Sequence, residues 1–328
     1  MSVREAVLGV LEENKGKTFS GAELARVLGV SRNAVWKAVQ GLKEDGYRIE
    51  SATKKGYCLS GDSDILSPQS IAAWLPDGTL PLRFEVQDVV TSTNTVLKQR
   101  AEEGEPEGLV CVANRQTLGK GRRGRSFYSP PDTGIYMSIL LRPKLLARDS
   151  LLITTAAAVA VARAAETVTG RYAEIKWVND VYCDGRKICG ILTEASMDFE
   201  SGGLSYAVLG IGINIADPES GFPAELSQVA ASLFGSASHP SEARSRMIAE
   251  VCKEFFAVYT QLPRKAFMEE YRRRSFVIGC DVDVISPKGT RAAHVLDMDA
   301  DANLIVKFPD GTMEALSSGE VSVRRKRK

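Results

Sequence analysis

With 328 residues the chain exceeds what one ordinary hydrophobic core can organise, which implies two or three domains. Apolar residues make up 44% and charged residues 25%, a globular balance that excludes disorder. A net charge of +1 excludes a global electrostatic pull on nucleic acid, so any DNA binding must come from a local basic face. Cys58, Cys111, Cys183, Cys189, Cys252 and Cys280 contain no CxxC pair, and His239 and His294 lie far apart. This argues against a zinc ribbon, a His-ligated metal and a His-activated nucleophile. The thiols read as reduced cysteines of a cytoplasmic protein, mostly core filler. Arg4 and Glu5 open the chain without an apolar run, so no signal peptide is indicated. The most apolar stretch, 151–168, includes Thr154, Thr155, Arg163 and Glu166, which predicts a buried helix and no membrane span.

In chain order, residues 1–62 read as three helices and a hairpin. Val3, Val7, Leu8, Val10 and Leu11 have helical spacing over 3–13. Ser20 and Glu23 form a capping-box pattern opening a helix over 21–28, and Gly29 closes it. Ser31 caps a third helix over 32–45 that Gly46 ends, and 47–59 reads as two strands around Lys54-Lys55-Gly56. Gly61-Asp62-Ser63-Asp64 reads as a linker. Residues 66–274 mix strands (82–90, 109–113, 134–141, 172–181, 187–195, 205–215) with helices (93–103, 150–168, 241–262). A hairpin turn is expected at Asp184-Gly185. The irregular interleaving predicts an α+β domain with a mixed or antiparallel sheet. Residues 276–328 hold short β runs (281–286, 291–298, 304–308, 313–317), expected to form a small SH3-like β-barrel. The cationic tail 324–328 is expected to be frayed and solvated.

Two helices joined by a glycine turn and followed by a basic hairpin form a winged helix-turn-helix pattern. On the third helix Ala34, Val35, Ala38, Val39 and Leu42 share one face. Ser31, Arg32, Asn33, Trp36, Lys37 and Gln40 occupy the start and the other faces. Such groups can reach base edges and phosphates in a major groove, and Lys54 and Lys55 can neutralise backbone phosphate. Trp36 is open between a DNA sugar and the wing. The plainer alternative is a three-helix interaction domain whose polar face meets water.

Gly119-Lys120-Gly121-Arg122-Arg123-Gly124-Arg125 formally matches GxGxxG and falls short of a P-loop. Pro130 and Pro131 follow, so no helix starts there and neither motif applies. Three glycines permit a close backbone approach, and four cations in seven residues repel one another without an anion. The loop is expected to be mobile when empty and to order on phosphate or carboxylate; a merely solvated loop or a nucleic-acid contact is the alternative. Ser92-Thr93-Asn94 opens a helix, as a cap or as a polar site at a strand end. Lys176-Trp177-Val178-Asn179-Asp180 and Gly185-Arg186-Lys187 flank the predicted turn. That places Lys187 near Asn179 and Asp180, opening an otherwise apolar strand. Gly210-Ile211-Gly212-Ile213-Asn214 ends another strand with small, closely packing residues and an amide.

Taken in order, Ser-Thr-Asn, Gln116 before GKGRRGR, KWVND, GRKICGI and GIGIN strongly resemble the bifunctional biotin protein ligase and biotin repressor family, over essentially the whole chain. The resemblance implies a central ligase domain that uses ATP and Mg²⁺ to convert biotin into biotinyl-5'-AMP. The biotin then passes to a lysine of the biotin carboxyl carrier protein, the activity of a biotin--[acetyl-CoA-carboxylase] ligase. It implies Lys187, Arg122 and Asp180 as catalytic residues. Ser92, Thr93, Asn94, Gln116, Lys120, Gly121, Arg122 and Lys187 are implied around biotin, and Arg122, Arg123, Lys176, Asn179 and Asn214 around the nucleotide. It also implies a homodimer on operator DNA with biotinyl-5'-AMP as corepressor. Val178 stands where the family usually has proline, Lys120 where it has arginine, and Phe127 where it has tryptophan; none removes a catalytic group. The competing readings are a ligand-sensing repressor without ligase activity and a lipoate-type ligase.

Overall fold

The computed structural model describes the chain except residues 53–55, 76–80, 199, 201, 237–238, 287–288, 318–321 and 326–328. Backbone packing divides it into two compact units, 1–79 with 238–250, and 80–237 with 251–328.

The first unit opens with α1 (Val3–Glu12), α2 (Gly21–Leu28) and α3 (Arg32–Glu44). Ser2 and Ser20 close reciprocal capping boxes with Glu5 and Glu23, and the Ser31 hydroxyl accepts the Ala34 N–H. Gly29 ends α2 at φ 66°, a left-handed conformation that glycine adopts without a Cβ penalty. Val7, Leu11, Leu24, Val35, Val39 and Leu42 interlock as the core, as their helical spacing requires. β1 (Ile49–Ala52) and β2 (Gly56–Leu59) pair antiparallel behind α3 as the wing. Lys54 and Lys55 lie outside the described residues. Residues 61–64, read as a linker, are held to this unit by side chains: Arg244 donates to Asp64 Oδ2 at 2.9 Å and Ser241 Oγ to the Gly61 carbonyl. A short helix, α4 (Pro68–Ala72), follows under a Ser67 cap and was not anticipated.

The second unit holds a seven-stranded sheet built from β3 (Arg83–Val90), β4 (Leu109–Gln116), β5 (Gly134–Leu141), β6 (Glu174–Lys176), β7 (Asp180–Cys183), β8 (Arg186–Met197) and β9 (Leu204–Asn214). The order is β3-β4-β5-β9-β8-β7-β6; β3 and β4 run parallel and every other pair antiparallel, so the expected α+β mixed sheet is found. The strand expected over 172–181 is broken at 177–179. There Trp177 buries its indole and donates Nε1–H to the Ala302 carbonyl at 2.7 Å, which bends the chain out of the ladder. Asp184 and Gly185 both take positive φ, 48° and 73°, and make the tight β7–β8 turn that was predicted.

Helix α5 (Thr93–Glu102) packs Leu97 and Ala101 on Leu109, Cys111, Leu140 and Val208. Helix α6 (Leu151–Thr169) lies on the opposite face, where Thr154 bonds Thr193 at 2.7 Å. It is long and apolar enough to cross a membrane, but most of it is buried in the core. Two more helices are α7 (Ala243–Tyr259), shared by the two units, and α8 (Met268–Arg274), which was not predicted. The buried Arg274 of α8 donates to Glu166 of α6 at 2.7 and 2.9 Å and to Glu270 at 2.8 Å. A charge taken this far from water needs such pairing.

The C-terminal segment is an antiparallel sheet of β10 (Asp281–Ser286), β11 (Gly289–Met298), β12 (Leu304–Lys307), β13 (Met313–Leu316) and β14 (Ser322–Arg325), ordered β13-β12-β11-β10-β14. Where a small SH3-like barrel was expected, the chain forms a five-stranded antiparallel sheet. The tail expected to fray enters it, because β10 offers an unpaired edge: Arg324 and Arg325 pair with Asp283 and Val282.

The Arg274 hydrogen bonds hold the Glu166 carboxyl below its ordinary 4.5. A lowered carboxyl stabilises the fold above the unfolded value, and that contribution disappears as pH falls through the folded value. Glu166→Gln is therefore expected to lower the urea midpoint at pH 7 and to flatten its decline below pH 4.5. A variant midpoint that follows the parent across that range contradicts the assignment.

Candidate active site

The cradle lies on the α5 face of the sheet, beyond the end of that helix. Gly190 pairs with Gly212, and Leu192 with Gly210, so the glycines form one bare strip of backbone. A Cβ on Gly210 would fall 2.1 Å from Asn94 Oδ1, and one on Gly212 would fall 2.6 Å from the Phe127 ring. The strip is bare because side chains from α5 and from the glycine-arginine loop occupy the space above it.

Lys187 and Asp180 meet at its end, with the ammonium 2.7 Å from Asp180 Oδ1. That oxygen is buried and has no hydrogen-bond partner of acceptable geometry, so the contact is ionic, not directional. Such an ammonium can turn to another anion at little cost. The sequence expectation that Lys187 sits near Asp180 across the hairpin is met. Lys176 pairs with Asp180 in the β6–β7 register, so both leave the same face.

The loop carrying four cations folds back as a small hairpin: Gly121 N–H donates to the Arg125 carbonyl at 2.7 Å and Phe127 N–H to the Gly119 carbonyl at 2.9 Å. Arg123 takes φ 57°, and Lys120, Arg123 and Arg125 point to solvent. Arg122 alone of these turns inward and donates to Asn179 Oδ1 at 3.0 Å. Burial holds its guanidinium below the ordinary value, with the Asp180 carboxylate opposing. A cation kept partly dry in this way is primed for an anion. Arg122 also lines a cavity of about 210 Å³ together with Val178, Ile191, Leu151, Thr154 and Thr193.

Asn179 is fixed from several sides. Its Nδ2 donates to the Ile191 carbonyl at 2.9 Å, and its carbonyl accepts the Ile191 N–H at 2.9 Å. Just before it, the Val178 carbonyl accepts the Tyr271 hydroxyl at 3.0 Å. Tyr271 is fully buried, and burial raises its phenol above the ordinary value, so it stays a donor. Asn214 closes the far end of β9 by donating to the Ala231 carbonyl at 2.9 Å.

At the other end of the cradle Ser92, Thr93 and Asn94 are all buried, and Ser92 makes no side-chain cap. Gln116 Oε1 accepts the Thr93 N–H at 2.9 Å, and its Nε2 donates to Ser129 Oγ at 3.0 Å. Asn94 Nδ2 donates to Glu194 Oε2 at 2.9 Å, while its Oδ1 lies 2.6 Å from Ser138 Oγ. Ser129, Ser138, Glu194 and Tyr271 escaped the sequence reading. Ser138 was visible as a small polar residue inside the run Ile135-Tyr136-Met137-Ser138-Ile139, a signal of a buried partner.

In the first unit Arg32, Asn33, Trp36 and Lys37 project from α3 into solvent, Trp36 with 51% exposure, and Gln40 is half-buried. Ser31 is engaged in its cap.

Residues 86–214 match the model of the biotin/lipoate A/B protein ligase family, and residues 3–58 match an HTH domain model. The class is thus a ligase-type domain that carries a helix-turn-helix. The chain is 31% identical over 323 residues to the bifunctional ligase/repressor BirA of Bacillus spizizenii, covering 97% of this chain and 98% of that protein. The corresponding Bacillus subtilis protein is 30% identical over the same shares. A biotin protein ligase from Aquifex aeolicus, solved in complex with biotin and ATP, superposes with a TM-score of 0.61 at 25% identity, over 74% of this chain and 99% of that one. The chain belongs to the family of bifunctional ligase/repressor proteins.

The glycine strip gives an unequal pair of substitutions. Asn94 is bonded on both sides and cannot retreat, whereas the Phe127 ring rides on a loop. Gly210→Ala is expected to cost about 1–3 kcal/mol of stability and Gly212→Ala clearly less. Calorimetric unfolding of both variants checks this, and equal losses would contradict the fixed position of Asn94.

Proposed function

We propose that the chain activates biotin with ATP and transfers it to a lysine of the biotin carboxyl carrier protein of acetyl-CoA carboxylase, and that it represses transcription in response to biotin. The observation carrying this reading is the convergence of Lys187, Asp180 and the inward-turned Arg122 at the end of a glycine-floored cradle.

In the first half-reaction a biotin carboxylate oxygen bonds to the α-phosphorus of ATP. The bond from that phosphorus to the β-phosphate oxygen breaks, and pyrophosphate leaves. Both reactants are anions, so their approach needs fixed positive charge. Lys187 is assigned to the carboxylate and α-phosphate, and Arg122 to the adenylate, with Arg123, Lys176, Asn179 and Asn214 around the nucleotide. Screening of the triphosphate is the contribution assigned to Mg²⁺. Among the described residues no cluster of three acidic, cysteine or histidine side chains is placed to hold a metal. The ion is assigned to the nucleotide, whose phosphate oxygens suit a hard divalent cation. Ser92, Thr93, Asn94 and Gln116 hold the ureido ring, with Lys120 and Gly121 closing over biotin.

In the second half-reaction the carrier lysine amine attacks the acyl carbon, and AMP leaves with the bonding electron pair. Asp180 orients that amine and takes its proton. Closure of residues 119–125 keeps water from the mixed anhydride.

The helix-turn-helix supplies the DNA-reading half through Ser31, Arg32, Asn33, Trp36, Lys37 and Gln40. Lys54 and Lys55 are assigned to the wing tip on the sequence alone. One such module makes few phosphate contacts, so tight operator binding calls for a homodimer on a palindromic site. Biotinyl-5'-AMP acts as the corepressor by favouring that dimer. The location is the cytoplasm, and the division 1–62, 66–274 and 276–328 marks reader, ligase and C-terminal sheet.

Lys187→Ala is expected to leave the fold intact and to cut adenylate formation by about 10²–10³-fold or more, measured as ATP–pyrophosphate exchange. Near-parental exchange would remove Lys187 from the chemistry. Saturating biotin with ATP is expected to tighten binding to operator DNA, read by a mobility shift; unchanged affinity would remove the regulatory half.

A further inference from the structure

The turn at 177–179 joins β6 to β7, and bonds to three other segments hold it. Trp177 donates its indole N–H to the Ala302 carbonyl, and the Asn179 carbonyl accepts the Ile191 N–H. Between them the Val178 carbonyl accepts the Tyr271 hydroxyl at 3.0 Å. This third bond acts on the peptide plane that links Val178 to Asn179. A peptide unit is rigid, so fixing its oxygen fixes the plane and limits rotation of Asn179 about its own N–Cα bond. The direction in which Asn179 presents Oδ1 follows, and on that oxygen Arg122 rests at 3.0 Å.

Tyr271 is itself held firmly. It is fully buried in α8. Beside it Arg274 anchors the helix on Glu166 at 2.7 and 2.9 Å and on the Ala173 carbonyl at 3.0 Å. Just past the helix, the Phe276 N–H donates to the Ile175 carbonyl of β6 at 3.2 Å. Burial raises the phenol above its ordinary value; the Asp180 carboxylate adds to the rise and Arg122 opposes it. The hydroxyl therefore keeps its hydrogen, and it lies within the field of both charged groups of the site. A buried phenol needs an acceptor wherever it sits. Here the acceptor is the one carbonyl whose plane continues into Asn179.

We propose that Tyr271 is a positioning residue for the nucleotide: it fixes the Val178 carbonyl, thereby orients Asn179, and through Asn179 holds Arg122 where the phosphates of ATP arrive. The inference rests on the biotin and ATP reading and deepens it, because it gives α8 a part in nucleotide binding. The ring-binding end of the cradle, at Thr93 and Gln116, makes its own bonds elsewhere. Loss of the hydroxyl is thus a fault in ATP binding that leaves biotin binding alone.

The test uses the full chain, with KM for ATP from ATP–pyrophosphate exchange at saturating biotin and Kd for biotin from calorimetric titration without ATP. Tyr271→Phe keeps the ring and removes the hydroxyl, which leaves a buried carbonyl unpaired. It is expected to raise KM for ATP by about tenfold and to leave Kd for biotin within about twofold of the parent. A second variant, Arg274→Lys, keeps the phenol but loses the forked hold on Glu166, and is expected to move KM for ATP in the same direction. The decisive readout is a double-mutant cycle with Asn179→Ala. If Tyr271 acts through Asn179, then Tyr271→Phe raises KM for ATP by less than about twofold in the Asn179→Ala background. The same tenfold rise in both backgrounds, or a rise in Kd for biotin equal to that in KM for ATP, marks a general loss of packing and overturns the inference. An unchanged KM for ATP in Tyr271→Phe overturns it too. Failure of the unaltered chain to exchange pyrophosphate in the presence of biotin overturns the reading beneath it and the inference with it.

Discussion

Joining a carboxylate to a phosphate brings like charges into contact, and under the proposed chemistry that repulsion governs the region between residues 119 and 190. Water lowers it by screening but also destroys an acyl adenylate. A site that excludes water must therefore carry its own positive charge and keep that charge stable when empty. The structure does so with an ion pair that lacks a directional hydrogen bond, Lys187 on Asp180, and with an arginine resting on a neutral amide, Arg122 on Asn179. Neither cation is bound so tightly that an incoming anion must break a strong bond to reach it.

The geometry of those two cations depends on a short turn that the sheet does not itself hold. Residues 177–179 leave the ladder and are gripped from outside it by Ala302 of the C-terminal segment, Tyr271 of α8 and Ile191 of β8. This gives the C-terminal sheet a physical connection to the chemistry: its 302 carbonyl holds the tryptophan two residues before Asn179. The ion network of Arg274 with Glu166 and Glu270 fixes α8, and with it the buried tyrosine.

Much of this was legible in the sequence, for identifiable reasons. The three N-terminal helices were readable because their capping residues and apolar spacing are local. The β7–β8 turn was readable because Asp-Gly tolerates two positive φ values. The Lys187–Asp180 approach followed from that turn. What stayed hidden depends on partners distant in sequence. Helix α8 has few local signals and is held by charges more than 100 residues away in α6. The break at 177–179 needs Ala302, and the strand at 322–325 needs the free edge of β10. Which loop cation turns inward is decided by Asn179, so the repeated charges of GKGRRGR could not reveal it. The Val178 and Phe127 departures leave recognisable roles. The first offers its carbonyl to Tyr271, and the second lays its ring over Gly212.

The central claim is that an acid and a nucleotide meet over the glycine strip within reach of Lys187 and Arg122. A crystal structure of the full chain grown with biotin and ATP tests it most directly. The account predicts an adenylate whose ring lies at Thr93 and Gln116, whose chain crosses Gly212 and Gly190, and whose phosphate is hydrogen-bonded by Lys187 and Arg122. A ligand bound elsewhere, with the Lys187–Asp180 and Arg122–Asn179 contacts unbroken, would contradict it.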